Sequence, residues 1–269
     1  MKYDPVKKVF GDIVSRNVFL RKIFYKLLDL MFLRSWHVRK QIKKLYKRND
    51  KLNIFDAGMG FGQYSYFMAN YFPNSNIYAI DVKEEQVADC EYFFNKTGLG
   101  NRVEFKIDDL VTMKYENRFD FILSVDVMEH IHEDQTVFNN FYNALKKGGL
   151  LLVNTPSNLG GSDAEDDDDE SFIEEHARNG YSKEDITSKL EKAGLKLKSF
   201  NYTYGKFGTI SWRFGIKYPI LMAGKSKLFI LILPIYYLFT LWFVLILMWL
   251  DVKTDNKEGT GILLVAEKV

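Results

Sequence analysis

The chain has 269 residues, 47% of them hydrophobic, enough to bury a sizeable core and too many for a disordered segment. Its single cysteine, Cys90, excludes an internal disulfide and gives no sign of an oxidising compartment. A net charge of +2 leaves a nucleic-acid partner unexpected, but it hides a polarised distribution: residues 1–48 hold 14 Lys/Arg against three Asp, whereas residues 163–175 hold nine acids and no base.

The first residues, "MKYDPVKKVF", lack the uninterrupted apolar stretch of a secretory leader, which predicts a cytoplasmic location for the folded part. Residues 5–48 read as a basic helical lead-in, with apolar residues at near-helical spacing in "NVFLRKIFYKLLDLMFL". From about Lys51, short β-like runs alternate with helical patterns. Strands are predicted at 52–56, 76–81, 102–107, 119–124 and 150–155. The helical stretches "EEQVADCEYFFNKTG" and "HEDQTVFNNFYNALKKGG" are each expected to end at glycine. A loop rich in Gly, Ser and Asp follows, "SNLGGSDAEDDDDESF", and then a helix opened by Ser182 with Asp185 as its capping partner. Two last strands are predicted at 195–204 and 260–269. The alternation implies an α/β fold, a mainly parallel sheet with helices on both faces.

The stretch between those last strands, residues 205–257, breaks the pattern. Leu228 to Leu250 are 23 residues without a charge, about 35 Å as a helix at 1.5 Å per residue. A single crossing would strand the final strand on the far side of a bilayer from its sheet. Arg213 and Lys217 make residues 207–224 a poor second crossing. The expectation is an interfacial or re-entrant helix pair, interrupted near Pro234 and rimmed by Trp212, Tyr218, Lys225 and Lys227 at one side and Trp249, Asp251 and Lys253 at the other. If the sixth strand runs parallel to the first five, the pair leaves from the sheet's carboxyl edge. The competing expectation is burial in a homodimer interface or against the N-terminal helices.

The chemistry concentrates in "IFDAGMGFGQYS". In an open parallel sheet, ligands sit beyond the carboxyl ends of the strands, where glycines let the backbone approach closely. Gln63 stands where a dinucleotide fingerprint wants its third glycine, which disfavours a nicotinamide oxidoreductase. Asp56 before the first glycine suits an ammonium better than a pyrophosphate. Asp81, at the end of the second strand, can accept from both ribose hydroxyls, and Asp109 is placed for an adenine amino group, with Asp108 as its rival. Asp56 and Asp81 could alternatively serve as helix caps. The set describes a nucleoside carrying an amino acid.

Over residues 51–156, the motifs "DAGMGFGQYS", "IYAIDV", "VEFKIDDL", "FDFILSVDVMEHI" and "LKKGGLLLVNTPS" resemble the class I S-adenosylmethionine-dependent methyltransferases, with the branch that includes ubiquinone-biosynthesis O-methyltransferases the most similar. The resemblance implies a Rossmann-like seven-stranded sheet with its last strand antiparallel, a methyltransferase domain over 51–269 behind a lead-in of 1–50, and S-adenosyl-L-methionine as cofactor. It implies Asp56, Gly58, Gly60 and Gly62 near the methionyl part, Asp81 and Val82 at the ribose, Asp109 and Leu110 at the adenine, and Asp126 on the methionyl side. Lys147-Gly148-Gly149 replaces the family's usual Pro-Gly-Gly. A hydroxyl acceptor needs a base, and histidine suits that work. His130 is the first candidate, ahead of His132, and His176 the second. No metal is expected from the acidic run. The expected activity is methyl transfer, chiefly to oxygen, on a lipophilic acceptor at the cytoplasmic face of a membrane, held there by residues 205–257 and the basic N-terminus. The alternative is a cofactor-binding scaffold without catalysis.

Overall fold

A computed structural model describes residues 17–160, 177–225 and 227–269. His176 and the acidic run 163–175 lie outside the described residues. In chain order the elements are α1 (Val18–Met31), α2 (Leu33–Leu45), β1 (Asn53–Ala57), α3 (Gln63–Tyr71), β2 (Asn76–Asp81), α4 (Glu84–Lys96), β3 (Val103–Ile107) and β4 (Phe119–Val125). Then follow α5 (Asp134–Ala144), β5 (Leu145–Pro156), α6 (Lys183–Lys192), β6 (Leu195–Thr203), α7 (Lys206–Trp212), a π turn at Arg213–Lys217, α8 (Tyr218–Lys225), α9 (Lys227–Lys253) and β7 (Gly261–Lys268).

The seven strands form one sheet in the order β3-β2-β1-β4-β5-β7-β6, and β7 is antiparallel to both its neighbours. The predicted α/β class and its antiparallel last strand are observed. Strands covered on both faces read as apolar runs because each successive side chain enters a different core. In β2, Tyr78 and Ile80 join Phe55, Phe119, Ile122 and Phe138 beneath α5 and α6. Ile77 and Ala79 join Ile54, Phe121, Met68, Phe93 and the lead-in residues Tyr25, Val38 and Ile42 on the opposite face.

Two expectations about secondary structure are corrected. Helix α5 does not run on to Gly148 and Gly149: it stops at Ala144, and both glycines lie inside β5. Phe119 pairs with Leu145 but Phe121 with Leu150, so the glycines fill a bulge that Gly148, at φ +78°, turns. Pro234 does not interrupt the apolar helix, which is continuous over Lys227–Lys253. A proline two turns into a long helix removes one backbone donor while the remaining bonds hold the course.

Because β6 is antiparallel only to β7, it points the same way as β1 to β5, and the insertion leaves from their carboxyl edge. It is a helical hairpin, α7–α8 packed antiparallel on α9. The π turn and Pro219 withdraw donors from two carbonyls: the Tyr218 N–H bonds Arg213, and residue 219 has no N–H for Phe214 or Gly215. The facing helix supplies replacements, Tyr236 OH to Phe214 O at 2.7 Å and Tyr237 OH to Gly215 O at 2.8 Å. At the hairpin's base Asp251 is fully buried, not a rim residue, and its carboxylate takes the His37 Nε2 at 2.8 Å and the Gly208 N–H at 3.0 Å. Val244 and Met248 pack on Leu33.

Candidate active site

The loop after β1 carries three glycines with left-handed backbone, Gly58 (φ +77°), Gly60 (φ +52°) and Gly62 (φ +75°). Their reasons differ. A Cβ on Gly58 would stand 2.5 Å from Val127 Cγ2, and one on Gly62 2.8 Å from Cys90 Sγ, so both positions also need glycine for close packing. A Cβ on Gly60 would meet nothing nearer than 3.9 Å. The middle glycine therefore faces open space, the geometry of a backbone left clear for a ligand. From behind, the loop is tied to the lead-in: Arg21 Nη2 donates to Phe61 O at 2.9 Å and Tyr25 OH to the same oxygen at 2.5 Å.

Asp81 closes β2 with its carboxylate already oriented. Oδ2 accepts the Gly60 N–H and Oδ1 the Lys83 N–H, both at 3.0 Å. The glycine loop and the second strand's acid thus form one unit, with lone pairs left for a ligand. Asp56 is buried and accepts Ser65 Oγ at 2.5 Å. Burial, opposed by that hydrogen bond and reinforced by Asp81, pushes its carboxyl up to about 6. Neither acid is an N-cap, since Gly62 and Lys83 hold those positions.

Along the carboxyl ends of the first three strands, Phe61, Val82 and Ile107 are large, apolar and exposed, at 44%, 63% and 55%. The Phe61 ring stands edge-on to Phe24 of α1, while Val82 and Ile107, at the ends of the paired strands β2 and β3, mark a surface that a ligand with an apolar face would cover. Asp109 is exposed beside them, its Oδ1 holding the Val111 N–H at 2.8 Å. Asp108 is taken up by the Asp109 N–H and by Tyr115 OH. Leu110 is in the core, not at the surface, and it is its carbonyl that accepts Asn140 Nδ2.

At the ends of β4, β5 and β6 lies a second cluster that sequence reasoning largely missed. Asp126, at φ +52°, pairs with Arg34 of α2. The Arg34 backbone N–H bonds Tyr204 OH at 3.2 Å, and Arg34 Nε is buried with no hydrogen-bond partner among the described residues. Glu129 is buried and accepts Thr155 Oγ1 at 3.0 Å. Burial first, and then the charge of Asp126, pushes Glu129 up to about 8. His130 and His132 are exposed on the neighbouring turn. The signal for Glu129 was present in "SVDVMEHI", as an acid directly beside His130. Arg34 carried no such signal, because it lies 92 residues from its partner.

A glycine cradle joined to an oriented acid, at the carboxyl edge of a seven-stranded sheet with an antiparallel seventh strand, defines the class I methyltransferase fold. Similarity to known proteins agrees. The chain belongs to the methyltransferase-domain family, whose model matches residues 48–194, and S-adenosylmethionine is the family's cofactor. It is 29% identical over 103 residues to malonyl-[acyl-carrier protein] O-methyltransferase 2 of Ilyobacter polytropus, covering 38% of this chain and 39% of that protein. It is 30% identical over 148 residues to phosphoethanolamine N-methyltransferase 1 of Triticum aestivum, covering 53% of this chain and 28% of that one. The chain thus spans less than half the length of these relatives. Among solved structures, Haemonchus contortus phosphoethanolamine N-methyltransferase 2, in complex with phosphomonomethylethanolamine and S-adenosylhomocysteine, superposes with a TM-score of 0.59 at 18% identity, over 84% of this chain and 51% of that one. A methyltransferase from Aquifex aeolicus gives 0.51 at 21% identity, over 65% and 86%. The open backbone at Gly60 and the preset carboxylate of Asp81 fit the cofactor's nucleoside, and the buried Asp56 fits a site that is to hold a cation near the glycines.

Proposed function

We propose that this protein transfers the methyl group of S-adenosylmethionine to a lipophilic acceptor drawn from a membrane surface, with a hydroxyl oxygen as the atom methylated. In this reading Asp81 and Val82 hold the ribose, Asp109 and the backbone at Leu110 hold the adenine, and Asp56, the three glycines and Asp126 line the methionyl part. The cofactor supplies an electrophilic methyl on a sulfonium. The residues of this chain have the remaining tasks: to orient the acceptor oxygen in line, to exclude water and to take its proton. Glu129 suits the last task better than His130. Its carboxyl lies against Thr155 on the strand-end side, and a proton affinity near neutrality matches general-base work.

The observation that carries the acceptor class is the hairpin. It departs at Gly205, next to Tyr204, whose hydroxyl bonds the backbone of the residue paired with Asp126. The apolar element therefore begins at the rim of the reaction site. Leu231–Lys253 has mean hydropathy 2.3 and is only 17% buried, the one helix among the described residues long and apolar enough to cross a membrane. Leu231, Ile235, Leu238, Trp242, Ile246 and Trp249, at helical spacing, are all more than half exposed. The capture of the Phe214 and Gly215 carbonyls by tyrosines suits a lipid environment, where an unsatisfied backbone group costs several kcal/mol. Trp212 and Trp249 suit the interface. A monotopic seat on the cytoplasmic face, with 205–257 as a membrane-associating insertion of a domain over 51–269, is the arrangement that keeps β7 beside β5 and β6.

The test is to incubate the purified protein with cofactor radiolabelled on its methyl group and either a host lipid extract or the aqueous metabolites of the same cells. Label entering the organic phase, lost in Glu129→Gln, is expected. Label in the aqueous products alone would contradict the acceptor class, and cofactor binding without any transfer would favour a scaffold.

A further inference from the structure

Between α1, α2 and the end of α9 runs an open groove of about 800 Å³, lined by Lys26, Leu30, Trp36, Lys40, Lys43 and Val252 among others. Five bases contribute to its walls, the remaining two being Arg39 and Lys44, against a single acid, Asp29. That acid is already spent: its carboxylate pairs with Arg39 and accepts Gln63 Nε2 at 2.8 Å. Four lysines are left facing an acid-free space. They crowd one another as well, since partial burial and the charges of Lys253 and Lys44 push the Lys40 amine below its ordinary range. The Lys43 ammonium lies over the rings of Phe67 and Tyr71, on the wall beside α3. The floor is apolar, with the Trp36 indole half-buried and its Nε1 donating to Asp29 O at 2.9 Å. The groove opens at the hairpin's base, where Lys40 Nζ donates to Val252 O, one residue beyond the buried Asp251.

We infer that this groove binds the phosphate head groups of anionic phospholipids in the bilayer that receives the hairpin. The inference rests on the membrane reading above and adds the lipid it selects. Three observations favour a lipid over another anion. The cations stand at the foot of an exposed apolar helix, the depth at which head groups lie when such a helix enters a bilayer. The groove pairs a basic rim with Leu30, Trp36 and Val252, which match the glycerol and first methylenes of a lipid. Outside the groove, α1 leaves Phe19, Ile23 and Leu27 exposed at helical spacing beside Lys22 and Lys26, the composition of a helix resting on an acidic surface.

Flotation of the full chain with vesicles of phosphatidylcholine alone, and of phosphatidylcholine with a minority of phosphatidylglycerol, tests this. Partitioning should be stronger on the anionic vesicles. Each of Lys40→Gln, Lys43→Gln and Lys44→Gln should lower it about fivefold there, while leaving binding to neutral vesicles and affinity for S-adenosylhomocysteine unchanged. Equal binding of the wild type to both vesicles would overturn the inference and leave the hairpin's role intact. Binding to neither would remove the membrane reading along with it. Glycerol phosphate or a short DNA duplex displacing the protein from anionic vesicles at concentrations comparable with the lipid would also overturn it, showing the groove to be a soluble-phosphate or nucleic-acid site.

Discussion

Asp81 ends β2 and Glu129 follows β4, the two strands that flank β1, and at this shared sheet edge they are prepared in opposite ways. Asp81 is aimed by two backbone donors, so its remaining lone pairs can serve ribose hydroxyls. Charge-assisted hydrogen bonds of this kind contribute about 1.5–3 kcal/mol. Asp81→Ala should therefore weaken S-adenosylhomocysteine binding about tenfold to a hundredfold by calorimetry, without shifting the main unfolding transition by more than a few degrees. Glu129 is buried instead, and its raised proton affinity sets a sign. The stability that the protonated carboxyl contributes is full below its ordinary value near 4.5 and is lost as pH rises through about 8. Glu129→Gln keeps an acceptor for Thr155 and escapes that loss, so its stability relative to wild type in urea unfolding should increase from pH 4 to pH 9. In the wild type kcat/KM should rise through about pH 8 as Glu129 loses its proton. A wild-type profile flat across that range would remove Glu129 from proton transfer and return the role to His130 or His176.

At the scale of elements, the base of the hairpin is held by one buried carboxylate. Asp251→Ala would leave the Gly208 N–H, the Asn256 amide and the His37 ring facing an empty site. Breaking a buried pair from one side costs about 3–5 kcal/mol, and thermal unfolding should fall by about 10 °C. Asp251→Asn, which retains an acceptor, should lose less than half as much. This anchor shows where legibility stopped. Strands β1 to β4, β6 and β7 were readable to within a residue or so because two cores impose alternating apolar runs, and the glycine loop because its conformation tolerates few residues. The Ser182 cap was readable too, and its Oγ accepts the Asp185 N–H at 3.0 Å. The start of β5 was not: "LKKGG" has the composition of a helix end, and only pairing with Phe119 across the sheet makes it strand. Asp251 looked like a membrane rim because its partner His37 lies 214 residues away. The pairing of Arg34 with Asp126 was hidden by the same kind of distance. Local propensity carries no record of such contacts.

Over the whole molecule, the glycine cradle with Asp81, the acid cluster and the apolar hairpin share the carboxyl edge, and α1 and α2 connect them. Helix α1 holds the glycine loop through Arg21 and Tyr25, while α2 supplies Arg34 to Asp126 and His37 to the hairpin. If the exposed row on α9 meets lipid, replacing Leu238 and Trp242 together by Glu should reduce flotation with neutral vesicles at least tenfold, each large apolar side chain contributing about 1.5–3 kcal/mol, with the cofactor affinity unaltered. Every functional statement returns to the identity of the nucleoside the edge accepts. The most direct measurement is a calorimetric titration of the full chain with S-adenosylhomocysteine and, separately, with NADH. The account predicts saturable binding of the first, weakened in Asp81→Ala, and no heat from the second. NADH binding as tight as S-adenosylhomocysteine, or S-adenosylhomocysteine binding indifferent to Asp81, would contradict it.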